Sequence, residues 1–172
     1  MIRFGAVVLL LVLLPLLDCS LRAQKTPQQV ASACPAPDLV TSNWPYVSNR
    51  VFSLRIPPGH REVEVKGADS YAGGFEAGDS AGMGFDYGHY SARLEEEGRR
   101  PEADTCWDRV DGIPVYVVSW VHDSTFHGST WYCAGGSWRP EESRRSRLTL
   151  TGCATSVEGQ RQVLAVLRTV DF

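Results

Sequence analysis

The sequence predicts an α+β domain: a mostly antiparallel β-sheet with a C-terminal helix packed on one face, held by disulfides. Three observations carry that expectation. Short runs of alternating apolar and polar residues fill the chain from Val51 to Cys153, with glycine-rich or proline-rich turns between them. The best helical pattern comes last, after Thr155. Besides Cys19, four cysteines are spread along the chain: Cys34, Cys106, Cys133 and Cys153. An even number in an exported chain implies two disulfides, and four cysteines allow three pairings, which spacing alone leaves open.

The export reading rests on the N-terminus. Arg3 is followed by an unbroken apolar run from Phe4 to Leu17 and a polar exit to Ala23, the layout of a secretory signal peptide over residues 1–23. The run is 14 residues long and contains Pro15, whereas a spanning helix needs roughly 20 apolar residues. No segment of the mature chain reaches that length, so no transmembrane segment is expected. The expected location is secreted or periplasmic. An alternative lies in Leu16-Leu17-Asp18-Cys19, which resembles a bacterial lipoprotein signal and would lipidate Cys19 and anchor the chain to a membrane. Asp18 departs from that pattern, which wants a small residue before the cysteine. Residues 24–49 are rich in Pro, Ser, Gln and Thr and read as a linker or loosely ordered arm, with 50–172 as the single globular domain.

The elements follow in order. Phe52, Leu54 and Ile56 alternate with Ser53 and Arg55, a strand with one buried face. Pro57-Pro58-Gly59 turns the chain, and Val63 and Val65 alternate with charged residues on the returning strand. Tyr71 to Ala77 and Met83 to Tyr87 form two strands joined by Gly78-Asp79-Ser80. Arg93 to Asp104 is a polar, solvated loop. Ile113 to Val121 is apolar on both faces apart from Ser119, as in a strand covered on both sides. Ser129 to Cys133 and Arg147 to Cys153 are further strands. Thr155 and Glu158 form a capping-box pattern, and Val157, Val163, Leu164 and Leu167 form the apolar stripe of the helix. Thr169 to Phe172 closes the chain as a short strand.

Net charge is −3 at pH 7, and no long basic run is present, which argues against a nucleic-acid partner. Gly78-Asp79-Ser80-Ala81-Gly82 matches G-x-S-x-G, the nucleophile elbow of serine hydrolases, and Asp104 or Asp108 and then His122 or His127 follow in hydrolase order. That motif needs a helix after the serine, because the turn must project the hydroxyl. Here a strand follows, so a hairpin turn is the better reading. A hydrolase using Ser80, Asp108 and His122 remains the alternative. His122, Asp123 and His127 offer metal ligands, with His89 as a further ligand from the fold, but their spacing matches no metal motif. Gly82-Met83-Gly84 lacks the helix of a dinucleotide fingerprint, so no cofactor is expected. Trp107, Trp120, Trp131 and Trp138 lie in or beside apolar strands, which favours core packing over an aromatic platform for sugar or peptide.

Asp69-Ser70-Tyr71, Gly74-Phe75 and Gly84-Phe85-Asp86-Tyr87-Gly88-His89-Tyr90-Ser91 resemble a pattern of small secreted bacterial proteins of unknown function. In these a strand carrying DSY-x-G-x-F pairs with one ending FDYG-x-YS. A cysteine and a strand follow, as in Cys106 to Val118, and the chain closes with a helix running into a segment like Ala165 to Phe172. The resemblance spans roughly residues 50 to 172. That group resembles, at the level of fold, distant relatives of the PsbP-like α/β/α sandwich, which implies protein docking and supplies no catalytic residues. The expected function is a non-catalytic secreted or envelope domain that binds an envelope protein or a small ligand. The loops Arg93 to Asp104 and His122 to His127 are its candidate contact surfaces.

Overall fold

Ten strands and one α-helix make up the described part of the chain, which in this computed structural model covers residues 32–35, 38–65, 69–76, 82–124, 129–139 and 146–172. The signal segment, Cys19, Ser80 and His127 lie outside the described residues. The strands are β1 (Ser32–Ala33), β2 (Tyr46–Ser48), β3 (Ser53–Arg55), β4 (Arg61–Val65), β5 (Tyr71–Glu76), β6 (Gly82–Gly88), β7 (Asp104–Val110), β8 (Ile113–Ser124), β9 (Ser129–Trp138) and β10 (Arg147–Ala154). The helix α1 spans Val157–Leu167, and a 3₁₀ turn spans Glu97–Arg99. Among the described residues no helix is long and apolar enough to cross a membrane.

Eight strands form one sheet in the order β1-β7-β8-β9-β10-β6-β5-β4, antiparallel except for β1 on β7. It consists of two meanders, β4-β5-β6 and β7-β8-β9-β10, joined where β6 meets β10. The sheet is therefore mostly antiparallel with one C-terminal helix, as the patterning predicts. β2 and β3 pair apart from it.

Asp104–Val110 and His122–Ser124, which the sequence reading leaves outside strands, lie in β7 and β8, and two further assignments differ. The strand after Pro57-Pro58-Gly59 does not return onto β3. β3 pairs with β2, which lies inside the stretch read as an arm, and β4 pairs with β5 at the sheet edge. Phe52, Leu54 and Ile56 are all buried. That burial rests on the local antiparallel match of Val47 with Leu54 and on a bridge from Ser53 to Asp171 in the predicted closing segment. The second difference is the helix cap. Ser156, not Thr155, sits in extended conformation before the first helical residue, and its hydroxyl accepts from the Gly159 amide at 3.1 Å. Glu158 then falls in the first turn, where a carboxylate favours the helix dipole. Ser156→Ala should cost about 1 kcal/mol of stability, whereas Thr155→Ala should change it by less than about 0.5 kcal/mol. Thermal unfolding of the two variants separates the caps.

The register defines the two faces. On one, Val115, Trp138, Leu148, Tyr87 and Tyr71 stand in a row across β8, β9, β10, β6 and β5. The next row contains Val117, Gly136, Leu150 and Phe85. Val163, Val166 and Leu167 of α1 belong to the same core as these residues. Glycines permit the closest approaches. A Cβ at Gly136 would stand 2.5 Å from the Trp138 ring, and one at Gly152 would stand 2.9 Å from Val163 Cγ2.

On the other face the chain crosses from β6 to β7. Leu94 of this crossing is buried. Ser91 donates to Thr149 Oγ1 at 2.8 Å, and Thr149 donates to the Ala92 carbonyl at 2.8 Å. The stretch read as a solvated loop, Arg93 to Asp104, is therefore anchored at its start by Leu94, just after a polar network of Ser91, Ala92 and Thr149.

Candidate functional site

Of the sequence-predicted catalytic and metal residues, Ser80 and His127 lie outside the described residues, and Asp108 and His122 do not converge. Asp108 pairs across the ladder with Val115, while His122 lies seven residues further along β8. An odd step places them on opposite faces, and seven residues separate them by roughly 20 Å or more along the strand. Asp108 is also engaged, accepting from Arg168 Nε at 2.9 Å. β5 and β6 are neighbouring antiparallel strands, and the connection carrying Ser80 lies outside the described residues. His122 and Asp123 are consecutive in β8 and so project to opposite faces. Asp123 accepts from the Thr130 hydroxyl at 2.8 Å. His89 sits in the turn after β6 against the Tyr90 ring. Among the described residues no group of three or more His, Cys, Asp or Glu side chains is placed to hold a metal ion.

The four cysteines pair as Cys34–Cys106 and Cys133–Cys153. The second bridge joins directly facing residues of β9 and β10. The first ties the chain after β1 to β7 and forms one wall of a cleft of about 530 Å³.

The opposite wall of this cleft is α1. Asp104 and Cys106 alternate along β7 and face the same side as Ser119 and Val117 of β8. Gln160, Leu164 and Arg168 recur every four residues on the helix and so form one line along it. Val117, Leu164, Ala165 and the cystine provide apolar surface, and Ser119, Asp104, Gln160 and Arg161 provide polar groups. Gln160 Nε2 donates to the Cys133 carbonyl at 2.7 Å, which fixes its amide against the sheet. Arg168 donates to Asp108 and to the Pro35 carbonyl, so one guanidinium clamps the arm, the helix and β7 together. Arg161 lies between Asp38 at 3.8 Å and Glu158 at 3.6 Å. Each cleft arginine thus faces a carboxylate, and the site presents apolar surface ringed by balanced charge.

Arg168→Ala together with Asp108→Asn in a double-mutant cycle should give a coupling on the order of 1 kcal/mol, the expected scale for a partly exposed ion pair with good geometry. Urea unfolding of the four proteins measures it, and zero coupling would show that the pair only decorates the cleft.

No family model matches the sequence, and no curated protein does. A solved structure of a protein of unknown function from Pseudomonas aeruginosa, PA94, is similar at 10% identity and a TM-score of 0.34, covering 67% of this chain and 85% of that one. A likeness so distant carries no argument about function.

Two periodic signals could have located this cleft in the sequence. One is the step of two in Asp104, Cys106 and Asp108, the other the step of four in Gln160, Leu164 and Arg168. The first is hard to read because residues 104–110 carry no apolar alternation.

Proposed function

We propose that this chain is an exported, non-catalytic binding domain that seats a small amphipathic ligand between α1 and the β7–β8 ladder. The observation that carries this reading is the cleft itself. Its volume of about 530 Å³ is of the size that small-molecule sites occupy. Its apolar residues would take the ligand's apolar body, and Ser119, Gln160 and Asp104 offer hydrogen bonds for a polar end. The helix is inferred to cover one face of the sheet, a reading supported by the burial of Val163, Val166 and Leu167 in the common core. Two cystines support an oxidising, extracytoplasmic location, because such bonds are reduced in most cytosols.

The test is native mass spectrometry of the protein recovered from its own host's envelope. Excess mass on the parent that is lost in Leu164→Trp, where the larger ring fills the cleft, is the expected result. A parent that carries no ligand, or excess mass that survives Leu164→Trp, overturns the proposal. The same spectrum reports the chain start: Gln24 is the first residue after the inferred signal peptide, and a lipid on Cys19 would mean membrane anchorage instead.

A further inference from the structure

The sheet face opposite α1 carries a second set of groups that the cleft does not use. Trp107, expected in the core, is 49% exposed. Its ring lies 5.3 Å from that of Tyr116, its cross-strand partner. Together with Glu95, Pro114, Ser137 and Arg139 they line a hollow of about 310 Å³.

Beside it lies Arg147, the first residue of β10. Continuing the ladder one step from the Leu148–Trp138 pair makes Arg139 its cross-strand neighbour. The Arg147 side chain is only 8% exposed. A guanidinium has five N–H donors, yet no hydrogen bond links this one to another described residue. Its nearest carboxylate oxygen among the described residues, on Glu95, is 3.9 Å away. A buried guanidinium is costly unless an anion reaches it, and among the described residues Glu95 is the carboxylate near it. Burial, then Arg139, hold its pKa below the ordinary arginine value; Glu95 opposes them and Arg93 adds to the depression. Among the described residues three arginines thus share one nearby carboxylate.

The geometry points to a ligand site on this face for a carboxylate borne on a six-membered ring, the anion held by Arg139 with Arg147 beside it, and one face of the ring laid on Trp107. Arginine suits a carboxylate because its planar fork matches the two oxygens. An exposed tryptophan beside a tyrosine suits the ring because it offers a broad apolar plane at little entropic cost. The hollow's volume admits one ring and not an extended chain. Glu95, at the rim, is the group that an arriving carboxylate would displace.

Two sources share this chemistry, a sugar acid and an aromatic acid. The test titrates the intact, disulfide-bonded protein with glucuronate and with benzoate by calorimetry, with glucose and acetate as probes having the ring or the charge alone. At least one ring carboxylate should bind saturably at a single site, and glucose and acetate at least about tenfold more weakly. Tighter glucuronate names the sugar acid as the source, and tighter benzoate the aromatic acid. Arg139→Gln and Trp107→Ala, both at exposed positions, should each weaken binding by about tenfold or more, and Glu95→Gln should strengthen it. Leu164→Trp, in the cleft on the other face, should leave it unchanged, so the two sites stand or fall separately. Arg147→Lys adds a check on the buried cation where the variant melts as the parent does. No binding of either acid, equal binding of glucose or acetate, or binding that survives Arg139→Gln or Trp107→Ala overturns the assignment.

Discussion

Replacing Cys34 and Cys106 together by alanine should destabilise the protein by about 4 kcal/mol, against about 3 kcal/mol for Cys133 and Cys153. The order follows from the loops that the bridges close in the unfolded chain, with sequence separations of 72 and 20 residues. The longer loop removes more conformations from the unfolded ensemble, so its loss should matter more. Native packing points the same way. Cys133 and Cys153 already face each other on adjacent strands, where the ladder itself holds them together. Cys34 follows a strand of two residues, and its neighbours reach the domain chiefly through that bond, the Cys34 amide donating to the Trp107 carbonyl, and Arg168 on Pro35. Urea unfolding of the two double variants decides the order. Equal midpoints would mean that the arm contributes little to the folded state. Hydrogen exchange should show the amides of β1 opening first in the Cys34, Cys106 variant.

Trp138→Ala should cost about 4 kcal/mol, the largest effect expected of any single side-chain truncation here. Trp138 is fully buried at 0% exposure. It stands between Val115 and Leu148 in the core row, and its ring lies over Gly136. No neighbouring side chain can fill the space, because the residue beneath the ring is glycine. Trp138→Phe should cost less than half as much. Phenylalanine keeps much of the volume and removes an indole N–H that has no acceptor among the described residues. Equal costs for the two variants would show that the N–H finds a partner in solution.

The sequence displays the sheet more clearly than it displays either site. Alternation in Ser53–Arg55 and Tyr71–Glu76 is legible because each strand has one buried and one less buried face. In Arg147–Ala154 it is legible because polar Arg147 and Thr149 meet the crossing chain while Leu148 and Leu150 meet the core. β7 is hard to see for the opposite reason. Asp104 and Cys106 line the cleft and Asp108 pairs with Arg168, so the inward side carries charge and the usual apolar signal is missing. The strand partner of β3 is equally hidden, since Tyr46–Ser48 is too short to show a period. The cap shifted by one residue because Thr155 and Ser156 are both good caps, and only the direction in which the chain leaves β10 selects between them. Arg147 gives no local signal at all. Its meaning comes from Arg139 and Glu95, which only the folded sheet brings near it.

The seam between the two meanders has a consequence for the order of assembly. β6 finds its second neighbour only in β10, with Phe85 opposite Leu150. As the chain emerges N-terminus first, β4, β5 and β6 can pair at once, but β6 then shows an open edge until residues 147–154 arrive, and an open edge invites pairing with another chain. The cysteines follow the same timetable. Cys34 and Cys106 are both present before Cys133 emerges, so the long-range bridge can close early. The bridge beside the seam must wait for the strand that completes the sheet.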